Sequence, residues 1–206
     1  GADRCAIILP GRSESLYYSY FFAPPYAKAG CNVLVIDVRA HGLSEGKYNY
    51  CGTREYSDVL AWTRFAHDAL GNREIILHGI CVGGASAVFA ACRPEFPDYV
   101  ACLVVEGLFS TFRESFALHM KAEHKPVFPV MNEIFWIARM ESGMKVSESA
   151  PIRCIDRVKT PMLFLHGRQD AFSLPKRAQE LYDECTAPKK LVWMEKGSHS
   201  HLRINN

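Results

Sequence analysis

Three side chains far apart in the chain could together perform nucleophilic acyl chemistry: Cys81, Asp170 and His199. Cys81 is the centre of Gly79-Ile80-Cys81-Val82-Gly83, which has the G-x-S-x-G spacing of a sharp strand-to-helix turn, with cysteine in the place of serine. The flanking glycines let strand and helix pass closely, and the central residue is expected to take a strained, left-handed backbone. At the tip of such a turn the thiol projects into solvent. The N–H groups of the helix's first turn then favour a thiolate and a nearby oxyanion. The rival reading is a small buried cysteine in a glycine-rich turn, so the pattern needs partners.

The elements that must position these groups alternate along the chain. Cys5 to Leu9, Asn32 to Asp37, Ile75 to Leu77, Ala101 to Val105, Thr160 to Leu165 and Lys190 to Met194 are short, mostly apolar runs that suit strands buried on both faces. Between them Arg54 to Leu70 has apolar residues at helical spacing and stops at Gly71-Asn72. Gly84 to Ala90 continues the elbow as helix, and Ser173 to Cys185 reads as a helix with Ser173 as N-cap and Pro175 in its first turn. Leu16 to Gly30 is aromatic-rich and broken by Pro24-Pro25, which predicts a helix in two pieces or one entered late. The region from about 108 to 150 carries many aromatic and Met residues on helical pieces without a strand, and is expected to be a lid-like insertion over the sheet's end. Such alternation predicts an α/β fold with a mostly parallel, doubly wound sheet of about six strands in a single domain over 1–206. Sites in such sheets form beyond the carboxyl ends of the strands. Arg12, Cys81, Glu106, Asp170 and His199 all leave those ends, which collects a thiol, a carboxylate and an imidazole at one rim.

Four motifs in order resemble the α/β-hydrolase superfamily over nearly the whole chain. Asp37-Val38-Arg39-Ala40-His41-Gly42-Leu43-Ser44 is similar to its D-x-R-G-x-G-x-S loop, and 79–83 to its nucleophile elbow. Pro161 to Asp170 is similar to its P-x-L-x-x-x-G-x-x-D acid motif, and Gly197-Ser198-His199 to its terminal G-x-H. The chain order Cys, Asp, His is that of the superfamily's triads. Cysteine at the elbow resembles dienelactone hydrolases and other thiol-dependent relatives. Two departures stand out: Pro10-Gly11 replaces the usual His-Gly of the oxyanion loop, and the chain lacks the N-terminal hairpin and last helix of many members, as a minimal or trimmed one would.

The resemblance assigns Cys81 as nucleophile, His199 as base and Asp170 as the acid that orients the imidazole. Glu106 is the rival acid and His201 the rival base. The alternative for Asp170 is a carboxylate capping the helix near Ser173. His78 and His166 read as hydrogen-bonded core residues, and His41 as structural. The oxyanion donors implied are the backbone N–H groups of Val82 and Arg12. The Arg12 side chain could meet a substrate carboxylate or be solvated. Tyr17, Tyr18, Tyr20, Phe21 and Phe22, with the aromatics of the insertion, either line an acyl pocket or pack a lid.

Composition narrows the partners. Lys+Arg 24 against Asp+Glu 22 in 206 residues leaves no electrostatic case for nucleic acid or an acidic membrane surface, so a small-molecule acyl substrate is expected. Apolar runs such as 31–38 are too short to span a bilayer, and the first residues lack the pattern of a signal peptide. The eight cysteines are scattered through strand-like and helix-like segments, which predicts reduced thiols and a cytoplasmic location. No C-x-x-C or C-x-x-H spacing suggests zinc, and no cofactor is required. The reaction expected is cleavage of an ester or thioester through an acyl-enzyme. The alternatives are a catalytically silent binding protein on the same fold, or a peptidase or acyltransferase using the same thiol.

Overall fold

The structure, a computed structural model, describes residues 2–199. Six strands form one sheet: β1 (Arg4–Leu9), β2 (Asn32–Val35), β3 (Glu74–Ile80), β4 (Val100–Glu106), β5 (Met162–Gly167) and β6 (Lys189–Met194). Their spatial order is β2-β1-β3-β4-β5-β6 and every neighbouring pair is parallel. The connections contain helices α1 (Leu16–Ser19), α2 (Ala23–Lys28), α3 (Tyr56–Arg64), α4 (Val82–Ala91), α5 (Phe112–Ala122), α6 (Val130–Ser142) and α7 (Pro175–Glu184). From β1 the chain winds to one edge and then returns past β1 to β3, so the strand order reverses between these two. A crevice opens at that switch point.

The apolar runs become strands because both faces are covered. On β1, Cys5, Ile7 and Leu9 join the larger core, while Ala6 and Ile8 join Ile80 in a smaller one roofed by Phe22 and Tyr26. Neighbouring residues of one strand thus serve opposite faces, which is why the run shows no polar alternation. Helix α4 is buried almost all round, and its small residues let it lie close against the sheet.

Three boundaries differ from the sequence expectation. Strand β2 stops at Val35, two residues early, because Asp37 turns away to hold loops: Oδ1 accepts Leu16 N–H at 2.7 Å and Oδ2 accepts Leu43 N–H at 3.2 Å. Helix α3 begins at Tyr56 and its last turn, Phe65–Ala69, widens to π geometry before Gly71 at φ +72° ends it. The expected N-cap Ser173 is corrected: α7 begins at Pro175 with Leu174 in the cap position. Asp170 Oδ1 has already captured Phe172 N–H (2.9 Å) and Ser173 N–H (2.7 Å), winding a turn ahead of the helix and leaving Ser173 Oγ buried without a partner among the described residues.

Between β4 and β5, residues 108–150 hold α5 and α6. Thr111 caps α5 by accepting Glu114 N–H at 3.4 Å. Phe109, Phe112, Phe116 and Phe135 form a ladder with ring centroids 5.7, 5.8 and 5.2 Å apart, which ties α6 to α5 and α5 to the core. Among the described residues no helix is long and apolar enough to cross a membrane, and all eight cysteines are free thiols.

Candidate active site

The elbow is built by backbone passing backbone. Cys81 has φ 48° and ψ −106°. The positive φ is as expected, but ψ lies well away from the left-handed helical well, a conformation costing about 1–3 kcal/mol. Two hydrogen bonds hold it: Cys81 N–H to Glu106 O at 2.8 Å, and Ala85 N–H to Cys81 O at 3.1 Å. A Cβ on Gly79 would lie 2.4 Å from Gly84 N, and one on Gly83 would lie 2.2 Å from Leu9 O. Only glycine fits either position. The second contact draws the exit of β1 against the first turn of α4, so Arg12 and Cys81 line one cavity of about 90 Å³.

The thiol does not project freely into solvent. Cys81 is half-buried, and α5 supplies Phe112, Ser115, Phe116 and His119 to the same cavity. Val82 is the first residue of α4, so its N–H has no carbonyl within the helix. In the facing loop Glu14 Oε2 accepts Gly11 N–H at 2.8 Å. His41 braces that loop: its Nδ1–H donates to Arg39 O (3.0 Å) and its Nε2 accepts Ser13 N–H (3.3 Å).

His199 and Asp170 meet as the sequence pattern predicts. His199 Nδ1–H donates to Asp170 Oδ2 at 2.8 Å, with the two side chains 11 % and 0 % exposed. Asp170 thus makes contacts on both sides: Oδ1 closes the turn before α7 while Oδ2 accepts from the imidazole. The Cys81 sulfur and the His199 ring line the same cavity, and the two groups interact electrostatically. Burial, the largest single influence on His199, disfavours its imidazolium. Hydrogen bonds and attraction from Asp170 and Cys81 outweigh it, and the pKa is pushed up from 6.5 to about 10.

The rival residues lie elsewhere. Glu106 faces the buried His78, Oε2 to Nε2 at 3.3 Å, and His78 Nδ1 meets the Tyr26 hydroxyl at 3.0 Å. His166 Nε2–H donates to Ser173 O at 2.6 Å behind Asp170, and burial lowers its pKa despite the nearby carboxylate. His201 lies outside the described residues. Tyr17, Tyr18, Tyr20 and Phe21 are exposed and Phe22 packs on His78, so the cavity's aromatic walls come from α5. The Arg12 guanidinium sits 5.8 Å from the centre of the Phe116 ring.

Three neighbours of the Asp170–His199 pair were not anticipated. Gly107, at φ +59°, lies beneath the pair: a Cβ there would stand 3.4 Å from His199 Nδ1 and 3.7 Å from Asp170 Oδ2. Phe172 meets the His199 ring edge-on at 5.7 Å and stacks on His119 at 3.9 Å. Of these only Gly107 carries a local signal, a glycine directly after a strand. Among the described residues no group of three or more His, Cys, Asp or Glu side chains could hold a metal ion.

Fold and site together define a class. The family described as alpha/beta hydrolase fold matches residues 7–132, and the chain belongs to it. Among its relatives, the uncharacterized protein YqkD of Bacillus subtilis (strain 168) is 27% identical over 205 residues, 97% of this chain and 66% of that protein. Alpha/beta hydrolase domain-containing protein 17C of Xenopus laevis is 23% identical, over 98% of this chain and 60% of that protein. The chain therefore spans less than two thirds of the length of these relatives. In fold it is similar to the Pyrococcus furiosus esterase Pf2001, with a TM-score of 0.79 at 22% identity, over 99% of this chain and 77% of that one.

Proposed function

We propose that this protein is a hydrolase that cleaves a carboxylic ester or thioester through Cys81, His199 and Asp170, a thiol variant of its family similar to dienelactone hydrolases. The observation that carries the reading is the hydrogen bond of 2.8 Å between His199 Nδ1 and Asp170 Oδ2, with the imidazole and the Cys81 side chain lining one cavity. His199 takes the Cys81 proton, and the thiolate attacks the acyl carbonyl. Asp170, buried and hydrogen-bonded at Nδ1, keeps the ring's other nitrogen toward the sulfur and stabilises the imidazolium. The backbone N–H groups of Val82 and Arg12 are the donors proposed for the oxyanion. His199 then returns the proton to the departing alcohol or thiol and activates water against the thioacyl-enzyme. The substrate is a small acyl compound, and no cofactor enters these steps. We read 1–206 as one domain whose segment 108–150 forms a lid over the thiol, and the free cysteines fit the reducing cytoplasm.

Cys81→Ala tests the assignment. Turnover of p-nitrophenyl acetate and butanoate is expected to disappear while circular dichroism stays unchanged, and iodoacetamide should label Cys81 ahead of the other seven thiols. Full turnover in the variant removes Cys81 from the role.

A further inference from the structure

Helix α5 turns two polar side chains toward the thiol that the proposed chemistry leaves idle. Ser115 and His119 lie one helical turn apart, and both line the cavity that contains Cys81 and His199. Ser115 is 4 % exposed, and its hydroxyl makes no hydrogen bond among the described residues. The residue lines the cavity, so the hydroxyl is available to a bound molecule.

The His119 ring is oriented by two contacts. Nδ1–H donates to Ser115 O at 2.8 Å, and the ring stacks on Phe172 at 3.9 Å with 17° between the planes. With the proton on Nδ1, the remaining nitrogen of the neutral ring is an acceptor. Neutrality is favoured because burial, the largest influence, lowers the pKa against the hydrogen bond to Ser115 O, with Arg12 and His199 adding to the lowering and Asp170 opposing it. The site thus offers one acceptor nitrogen and one free hydroxyl between two phenyl walls.

Size and charge limit what fits. The cavity is small, about 90 Å³, which suits a short acyl chain. A ligand hydroxyl can donate to His119 and accept from Ser115 at once. An ammonium would meet Arg12 and a protonated His199, and a carboxylate would be drawn to those cations rather than to the acceptor nitrogen of a neutral His119.

We infer that Ser115 and His119 form a specificity subsite for a short hydroxy-substituted acyl group, held with its carbonyl at Cys81. This inference rests on the acyl-transfer reading above. It is tested by comparing p-nitrophenyl 3-hydroxybutanoate with p-nitrophenyl butanoate. The hydroxy ester should have a kcat/KM at least about tenfold higher, in line with one to two hydrogen bonds of ordinary net strength. His119→Phe keeps the stack on Phe172 but removes the acceptor, and should bring the ratio of the two esters to near one. Ser115→Ala should lower it about threefold, and His119→Gln, which restores an acceptor, should recover part of it. A ratio near one in the unmodified protein, or a ratio that His119→Phe leaves intact, overturns the inference while Cys81-dependent turnover leaves the catalytic reading standing. Turnover that survives Cys81→Ala overturns both.

Discussion

Replacing Asp170 by asparagine changes the charge behind His199 with almost no change of shape. The amide oxygen can still accept the N–H groups of Phe172 and Ser173, now at 2.9 and 2.7 Å, so the turn before α7 should survive. The amide nitrogen, however, presents a donor to His199 Nδ1 where the carboxylate accepted at 2.8 Å. The ring must then carry its proton on the other nitrogen, toward the sulfur, which is the wrong tautomer for a base. Holding the imidazolium to about pH 10 instead of 6.5 amounts to roughly 5 kcal/mol at about 1.36 kcal/mol per pH unit. Asp170 and Cys81 supply that preference together, against burial. Without the carboxylate, only Cys81 opposes burial, and the His199 pKa should fall clearly below its present value of about 10. The assay is an NMR titration of the imidazole Cε1–H, assigned with His199→Gln, alongside ester turnover, which should fall by about 10² to 10⁴. Because the folded pKa lies above the unfolded one, the associated stabilisation is full below about pH 6.5 and is lost as pH rises through about 10. That contribution of His199 should shrink in the variant. A ring that still titrates near 10, or turnover reduced less than about threefold, refutes the reasoning.

Two further substitutions probe the supports of the site. Gly107→Ala forces an L-residue to φ +59° and presses a methyl to 3.4 Å from the His199 ring. It should cost about 1–2 kcal/mol in chemical denaturation and lower kcat by more than that loss of folded protein explains; a fall in stability with kcat intact would show that the ring does not depend on this floor. Gly83→Ala places a methyl 2.2 Å from Leu9 O. With backbone on both sides it should cost about 3 kcal/mol or more, a drop in Tm of at least about 6 °C, and an unchanged Tm would mean that the elbow and β1 are not so closely apposed.

The parts of this site legible in the sequence are those whose signals are local. Gly79 and Gly83 frame Cys81 because the turn itself demands them, and Asp170 and His199 follow short motifs at strand ends. The strands could be read because burial on both faces leaves uninterrupted apolar runs. The cap of α7 was misread because Ser173 satisfies the local rule, while Asp170, three residues earlier, competes for the same N–H groups. The choice between Glu106 and Asp170 was not local either. Both end adjacent strands of one parallel sheet, and their partners, His78 and His199, are separated from them by 28 and 29 positions in the chain.

By itself, then, the sequence determined the alternation of strand and helix, the sharp turn at Cys81 and the order of thiol, carboxylate and imidazole. These follow from the conformational preferences of covalent neighbours and from apolar periodicity. Only the tertiary structure decided that Asp170 and not Glu106 holds His199, that α5 brings Ser115 and His119 to the cavity of the thiol, and that Phe172 stacks on His119. Those contacts join segments tens of residues apart, and they form because the packed chain brings distant surfaces into register, which no stretch of neighbouring residues encodes.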